Sequence, residues 1–194
     1  MAFPRCGFVA SRHLTGQKPV LKQFEVEAGA NNAFFIGDPA VLTAAGKIIP
    51  VTAAASANFS GVIAAVYGKI NDYDPPRPLT FSQPTNGPYL TTGQSGFALV
   101  NVDPNQLYIA QLDVTASIGL IGATIGISAG TPNTAVGRSG YNLKGSTVGT
   151  DAERPFKIVG LAPSELITGR GDKPAGCGIE VKPNLSSLTN TTGV

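Results

Sequence analysis

GFALVNVDPNQLYIAQLDV occupies residues 96–114. Two apolar runs, 96–102 and 106–114, flank the turn-forming DPN at 103–105. Strand-forming residues on both sides of a three-residue connection predict a β-hairpin. The reading extends outward from there. GVIAAVYGKI at 61–70 is the strongest candidate for a central strand, bracketed by Gly61 and Gly68. FEVEAG at 24–29 alternates, with Phe24 and Val26 on one side and Glu25 and Glu27 on the other, as a half-buried strand does. PFKIVGLAP at 155–163 and CGIEVKP at 177–183 read as strands, and VGRSGYNLKG at 136–145 as a turn leading into one.

Turn residues punctuate the rest. GDP at 37–39 stops the apolar Phe34–Ile36 piece, and Val41–Leu42 is broken at Gly46 before KIIPV resumes at 47–51. Pro50 lacks a ladder donor, so that piece belongs at a sheet edge or a strand end. The expected fold is all-β: a compact β-barrel or sandwich of about eight short strands, with an extended N-terminal arm and long loops. Residues 1–22 form the arm, 23–183 a single domain with a Pro/Gly-rich loop at 71–96, and 184–194 a polar tail.

Composition narrows the function classes. The chain has 194 residues, of which only 13% are charged, with 24 glycines and 15 prolines. An ordinary soluble domain has roughly 25% charged residues. A surface so poor in charge fits either a neutral β-rich protein or one covered by partners. Arg5, Arg12, Lys18 and Lys22 fall in a first segment of 22 residues without an acid, while the remainder carries ten bases and twelve acids. A basic start on a near-neutral body suits an acidic protein surface. Four cations without interleaved aromatics do not make a nucleic-acid site. No 18-residue apolar run predicts a membrane span, and no apolar leader segment is expected.

Candidate chemistry is sparse. His13 is the only histidine, and no Cys, Asp or Glu stands at metal-ligand spacing from it. No GxSxG elbow accompanies Ser95 or Ser139, which fit turns better. Asp72 and Asp74 lie in the proline-rich loop, unlike the rigid opposed pair that glycoside hydrolysis needs. Asp38 is expected to accept backbone hydrogen bonds within its turn. The glycines at 119, 122 and 126 do not follow a phosphate-loop order. No catalytic residue, cofactor or metal is expected. Cys6 and Cys177 read as free thiols, with a bridge between the chain ends left open. Loop residues Tyr73, Leu79, Phe81, Tyr89 and Leu90 either fold back on the core or anchor an interface.

One resemblance joins these segments. GFVASRHLTG (7–16), FFIGDPAVLTAAG (34–46), GVIAAVYG (61–68), YLTTGQSGFALVNVDPNQLYIAQLD (89–113), GRSGYNL (137–143) and PFKIVGLAP (155–163) occur in an order that resembles the tailed-bacteriophage capsid decoration, or cement, proteins. The resemblance covers about residues 7–182. It implies a non-enzymatic virion protein, made in the host cytoplasm and placed on the outer surface of an icosahedral head. Its partner would be the major capsid protein, and its state a homo-oligomer, expected as a trimer. Arg12 and His13 match the family's arm motif. Together with the charge and loop readings, this makes Arg5, Phe8, Arg12, His13, Leu14, Lys18, Lys22, Tyr73, Arg77, Phe81 and Tyr89 the expected partner interface. The end of the chain departs from the family, because GIEVKP runs into a Ser/Thr/Asn tail. A head-tail, tail or fibre-associated protein is the alternative, with a small-ligand module or enzyme behind it.

Overall fold

The computed structural model describes residues 7–26, 33–51, 59–68, 77–78, 88–150, 154–162 and 178–184. Its strands are β1 (Val9–His13), β2 (Leu21–Glu25), β3 (Pro39–Leu42), β4 (Ile48–Pro50), β5 (Gly61–Gly68), β6 (Arg77–Pro78), β7 (Gly96–Asn101), β8 (Gln106–Gln111), β9 (Thr124–Ser128), β10 (Asn142–Gly149), β11 (Phe156–Leu161) and β12 (Gly178–Pro183). The fold is all-β, with two sheets in a sandwich-like arrangement. One sheet has the order β1-β8-β12-β11-β9-β10. The other runs β2-β7-β5-β3-β4, with β6 beside the end of β5. All strand pairs within the sheets are antiparallel.

The expected hairpin at 96–114 is not formed. β7 and β8 lie in different sheets. β7 has both edges occupied by β2 and β5, and β8 by β1 and β12. DPN is instead a corner where the chain passes from one sheet into the other. The physical reason lies in the N-terminal segment. β2 runs antiparallel to β7 from Leu21↔Asn101 to Glu25↔Phe97, and β1 runs antiparallel to β8 from Val9↔Ile109 to His13↔Gln106. Residues 9–25 therefore follow 97–109 along both sheets and take the positions a returning hairpin strand would need.

This also corrects the arm. From residue 7 onward, the segment is built into its own chain as two edge strands and their connection. At the other end, Asn184 is held by its N–H to the Pro155 carbonyl at 2.8 Å.

β5 forms where GVIAAVYG predicts it, and its alternation explains why the described residues form two core clusters. Val62 packs with Phe8, Tyr108, Phe156 and the inner residues of the β8 sheet. Ile63, on the opposite face, packs with Phe34, Ile48, Leu90 and Val100. A strand buried on both faces reads as a continuous apolar run. Pro50 does end β4, the outer strand of its sheet. The glycine-rich run at 118–130 gives a 3₁₀ turn, Ile118–Leu120, and then β9, a strand not expected from the sequence. Gly126 sits beneath Thr147, where an added Cβ would lie 2.9 Å from its Oγ1. The glycine there serves strand packing.

Candidate interaction surface

The expected interface residues separate sharply once placed. Phe8 is 3% exposed and stacks on Phe156 with ring centroids 4.5 Å apart. It is a core residue and is not offered to a partner. Its N–H donates to the Gly37 carbonyl at 3.1 Å. Gly7 just before it has φ +65, and a Cβ there would stand 2.3 Å from the Ser139 Cβ. The start of β1 is thus pressed against the junction of the sheets.

His13 is also turned inward. Its side chain is 5% exposed, and Nε2 lies 2.9 Å from Asp103 Oδ2. The Thr15 N–H donates to Nδ1 at 3.2 Å, so the ring proton sits on Nε2 and is donated to Asp103. Asp103 further accepts the N–H of Asn105 at 2.9 Å and that of Val20 at 3.3 Å. Burial alone would raise its pKa. The Asn105 N–H, His13 and the Val20 N–H together outweigh burial and hold the carboxyl below its ordinary value. One carboxylate thereby ties the 14–20 connection to the DPN corner.

Arg12 has a divided character. Its side chain is 67% exposed, yet it forks onto buried Glu180, with Nε at 3.0 Å and Nη2 at 2.8 Å. The hydrogen bond and charge of Glu180 raise the guanidinium pKa. Ser11 adds a third donor to Glu180 at 3.2 Å. This bidentate pair fastens β1 across β8 to β12.

The exposed part of the segment is its outer flank. Val9, Leu14, Val20 and Leu21 are between 40% and 50% exposed. Lys18 and Lys22 are exposed beside them, and no described carboxylate lies within ion-pair distance of either lysine. Tyr89 is half-buried and stacks on Phe35 at 4.5 Å, while Leu90 is fully buried in the second core. Those two loop residues fold back. Arg77 pairs opposite Gly68 through its backbone in β6. Arg5, Tyr73 and Phe81 lie outside the described residues, as do Leu79, Asp72, Asp74, Cys6 and Cys177.

A second buried carboxylate was foreseen only as a turn residue. Asp38 is 2% exposed and accepts the Phe35 N–H at 2.9 Å. Burial pushes its pKa up to about 7, against the opposing effect of hydrogen bonds from Ser139 and Phe35. Ser139 is fully buried. The sign of the linkage follows: the folded protein holds this proton up to about pH 7, whereas the unfolded chain releases it near 3.8. Stability from this group is full below the lower value and falls as pH rises between the two. The difference in unfolding free energy between wild type and Asp38→Asn, measured across that window, is expected to shift steadily against the wild type. A flat difference would show that Asp38 ionises normally.

Among the described residues, no three His, Cys, Asp or Glu side chains gather as metal ligands, and no helix is long and apolar enough to cross a membrane. No protein-family model, curated protein or solved structure matches this chain.

Proposed function

We propose that the chain is a structural virion protein of the decoration type, bound as a homo-oligomer, expected to be a trimer, to the major capsid protein on the outer surface of a phage head. The observation that carries this reading is the outer flank of residues 9–25. It presents apolar side chains together with Lys18 and Lys22, and its first acid is Glu25. Apolar area rimmed by one sign of charge suits a contact with an acidic protein surface. The low charge of the whole chain supports a surface met by neighbours. His13, the residue that first suggests chemistry, is committed to Asp103 and Thr15 within the fold. Many copies on one shell would multiply a modest contact.

A reconstruction of the parent particle tests the proposal. Density for this chain on the outer head surface is the expected result. Absence from the head, or a position on the tail, would overturn it. Deleting 1–22 is a poor probe, because it removes Phe8, all of β1 and the first two residues of β2. Lys18→Glu with Lys22→Glu is the better variant. It is expected to weaken head binding at least tenfold and to reduce its salt dependence, while changing stability by no more than about 0.5 kcal/mol. Binding unchanged by both reversals would remove the flank from the contact.

A further inference from the structure

An open cleft of about 230 Å³ lies where the two sheets meet, between β1 and β5. Val9 and Ala10 form one wall, and Ile36 and Ala64 the other side, over a largely apolar floor. Ala64 stands at the register shift between β5 and β7 and is exposed. Three polar side chains also line this space: Asn101, Tyr108 and Arg138.

Their hydrogen bonding is incomplete in one direction. Asn101 is 4% exposed, and its Oδ1 accepts the Asp103 N–H at 3.1 Å, which fixes the amide orientation. Its amide nitrogen donates to no described group. Tyr108 is 1% exposed, and its hydroxyl has no partner among the described residues. Arg138 is exposed at the rim, with no carboxylate among the described residues in ion-pair distance. Asn101 and Arg138 can donate into the cleft, while the Tyr108 hydroxyl beneath it is shut off from solvent. A buried polar group without a partner calls for an explanation, and donors gathered at one cleft match an acceptor that carries negative charge.

The wall adds a second constraint. The Phe8 N–H points away from β8 to the Gly37 carbonyl. Backbone alternation in an antiparallel pair turns Ala10 to the same side. There it meets no turn or loop hydrogen bond among the described residues. A free strand edge beside an apolar cleft accepts an extended chain by main-chain pairing, with a pocket for one side chain.

We propose that this cleft docks a short extended segment of a partner protein, adding it along β1 at Ala10 and receiving a Glu or Asp side chain between Asn101 and Arg138. The volume is below the usual range of small-molecule sites, about 300–1,000 Å³, and fits one side chain better than a cofactor. The proposal does not rest on the virion reading and holds for any partner with such a segment.

The test is a nuclear magnetic resonance titration of the full ¹⁵N-labelled chain with acetyl-Val-Glu-Val-amide. Shifts are expected at the Ala10 N–H, the Asn101 side-chain amide and Arg138. The Glu peptide should bind at least tenfold more tightly than acetyl-Val-Gln-Val-amide, and Arg138→Gln should erase that difference. Ala10→Pro removes the edge donor, and Pro is tolerated on edge strands. It should weaken both peptides about tenfold, and binding unchanged by it would overturn the pairing along β1. Equal binding of the two peptides, or no shifts at the three positions, would overturn the proposal. Butyrate binding as tightly as the Glu peptide would assign the cleft to small acids instead. Concentration-dependent shifts there without peptide would assign it to a second copy of the chain. Either result also overturns the proposal.

Discussion

Phe8→Ala is expected to lower the free energy of unfolding by about 3–5 kcal/mol, measured by urea denaturation. Phe8 is 3% exposed, stacked on Phe156 and set edge-on to Tyr108 at 6.5 Å. Phe156 in turn meets Phe59 at 4.8 Å, so one ring of this cluster bears on the others. Truncation loses the buried area and leaves a void that the sheets on either side cannot readily fill. It also unpins β1, whose only ladder partner among the described residues is β8. Amide exchange in Val9–Arg12 should therefore accelerate beyond what the global loss explains. Phe8→Leu keeps most of the volume and should cost less than about 1.5 kcal/mol. An exposed gripping residue would give a change within about 0.5 kcal/mol for either variant, which would overturn the core assignment.

The contrast at Phe8 shows what sequence reasoning reaches here. Strands with an unbroken or alternating apolar pattern were legible: β5 in GVIAAVYG, β7 and β8 around DPN, and β11 and β12. Their type follows from local composition. Their partners do not. DPN turns the chain whether the two flanking strands pair or diverge, and the outcome depends on the distant segment 9–25, which offers no strong period of its own. β1 reads as VASRH, exposed from Val9 to Arg12, because it is an edge strand whose inward contacts are made by Phe8 just before it and by His13 at its end. β9 was hidden because its glycine at 126 makes room for Thr147, a cross-strand fact.

The same limit applies to the polar groups. The acid-free N-terminus was visible as a charge pattern, and it raised the question of what neutralises it. The structure answers for two positions within the chain itself. Glu180 takes Arg12, and Asp103 takes His13. Both acids are buried on strands or corners that a reader would pass over as isolated charges. A carboxylate inside an apolar strand, as in GIEVKP, is the signal that could have pointed to a partner, since an unpaired buried charge is not tolerated. Of the three described cations of the arm, Arg12 is taken up by Glu180 and Lys18 and Lys22 are left for the outside.

Asp103→Ala should cost about 3–5 kcal/mol, because it strips acceptors from groups that stay buried. The His13 Nε2–H, the Asn105 N–H and the Val20 N–H all end on this carboxylate. Their loss frees the longer path at the corner. From His13 to Leu21 the outer strand needs eight residue steps, where the inner one from Gln106 to Asn101 needs five. That surplus must bulge, and Asp103 holds its base.

The pH dependence separates this role from simple packing. The folded carboxyl titrates below its ordinary value near 3.8, so its contribution is present above about pH 4 and is lost as pH falls through the folded value. The wild type should therefore lose stability on that acid side relative to Asp103→Ala. Asp38 acts in the opposite sense at higher pH, so the two slopes do not overlap. Asp103→Asn keeps one acceptor and should recover part of the loss. A double-mutant cycle with His13→Ala should return a coupling of about 1–3 kcal/mol. A coupling near zero with an intact fold would mean that the corner stands without the pair. The ladder from 9 to 25 would then be holding DPN open by strand pairing alone.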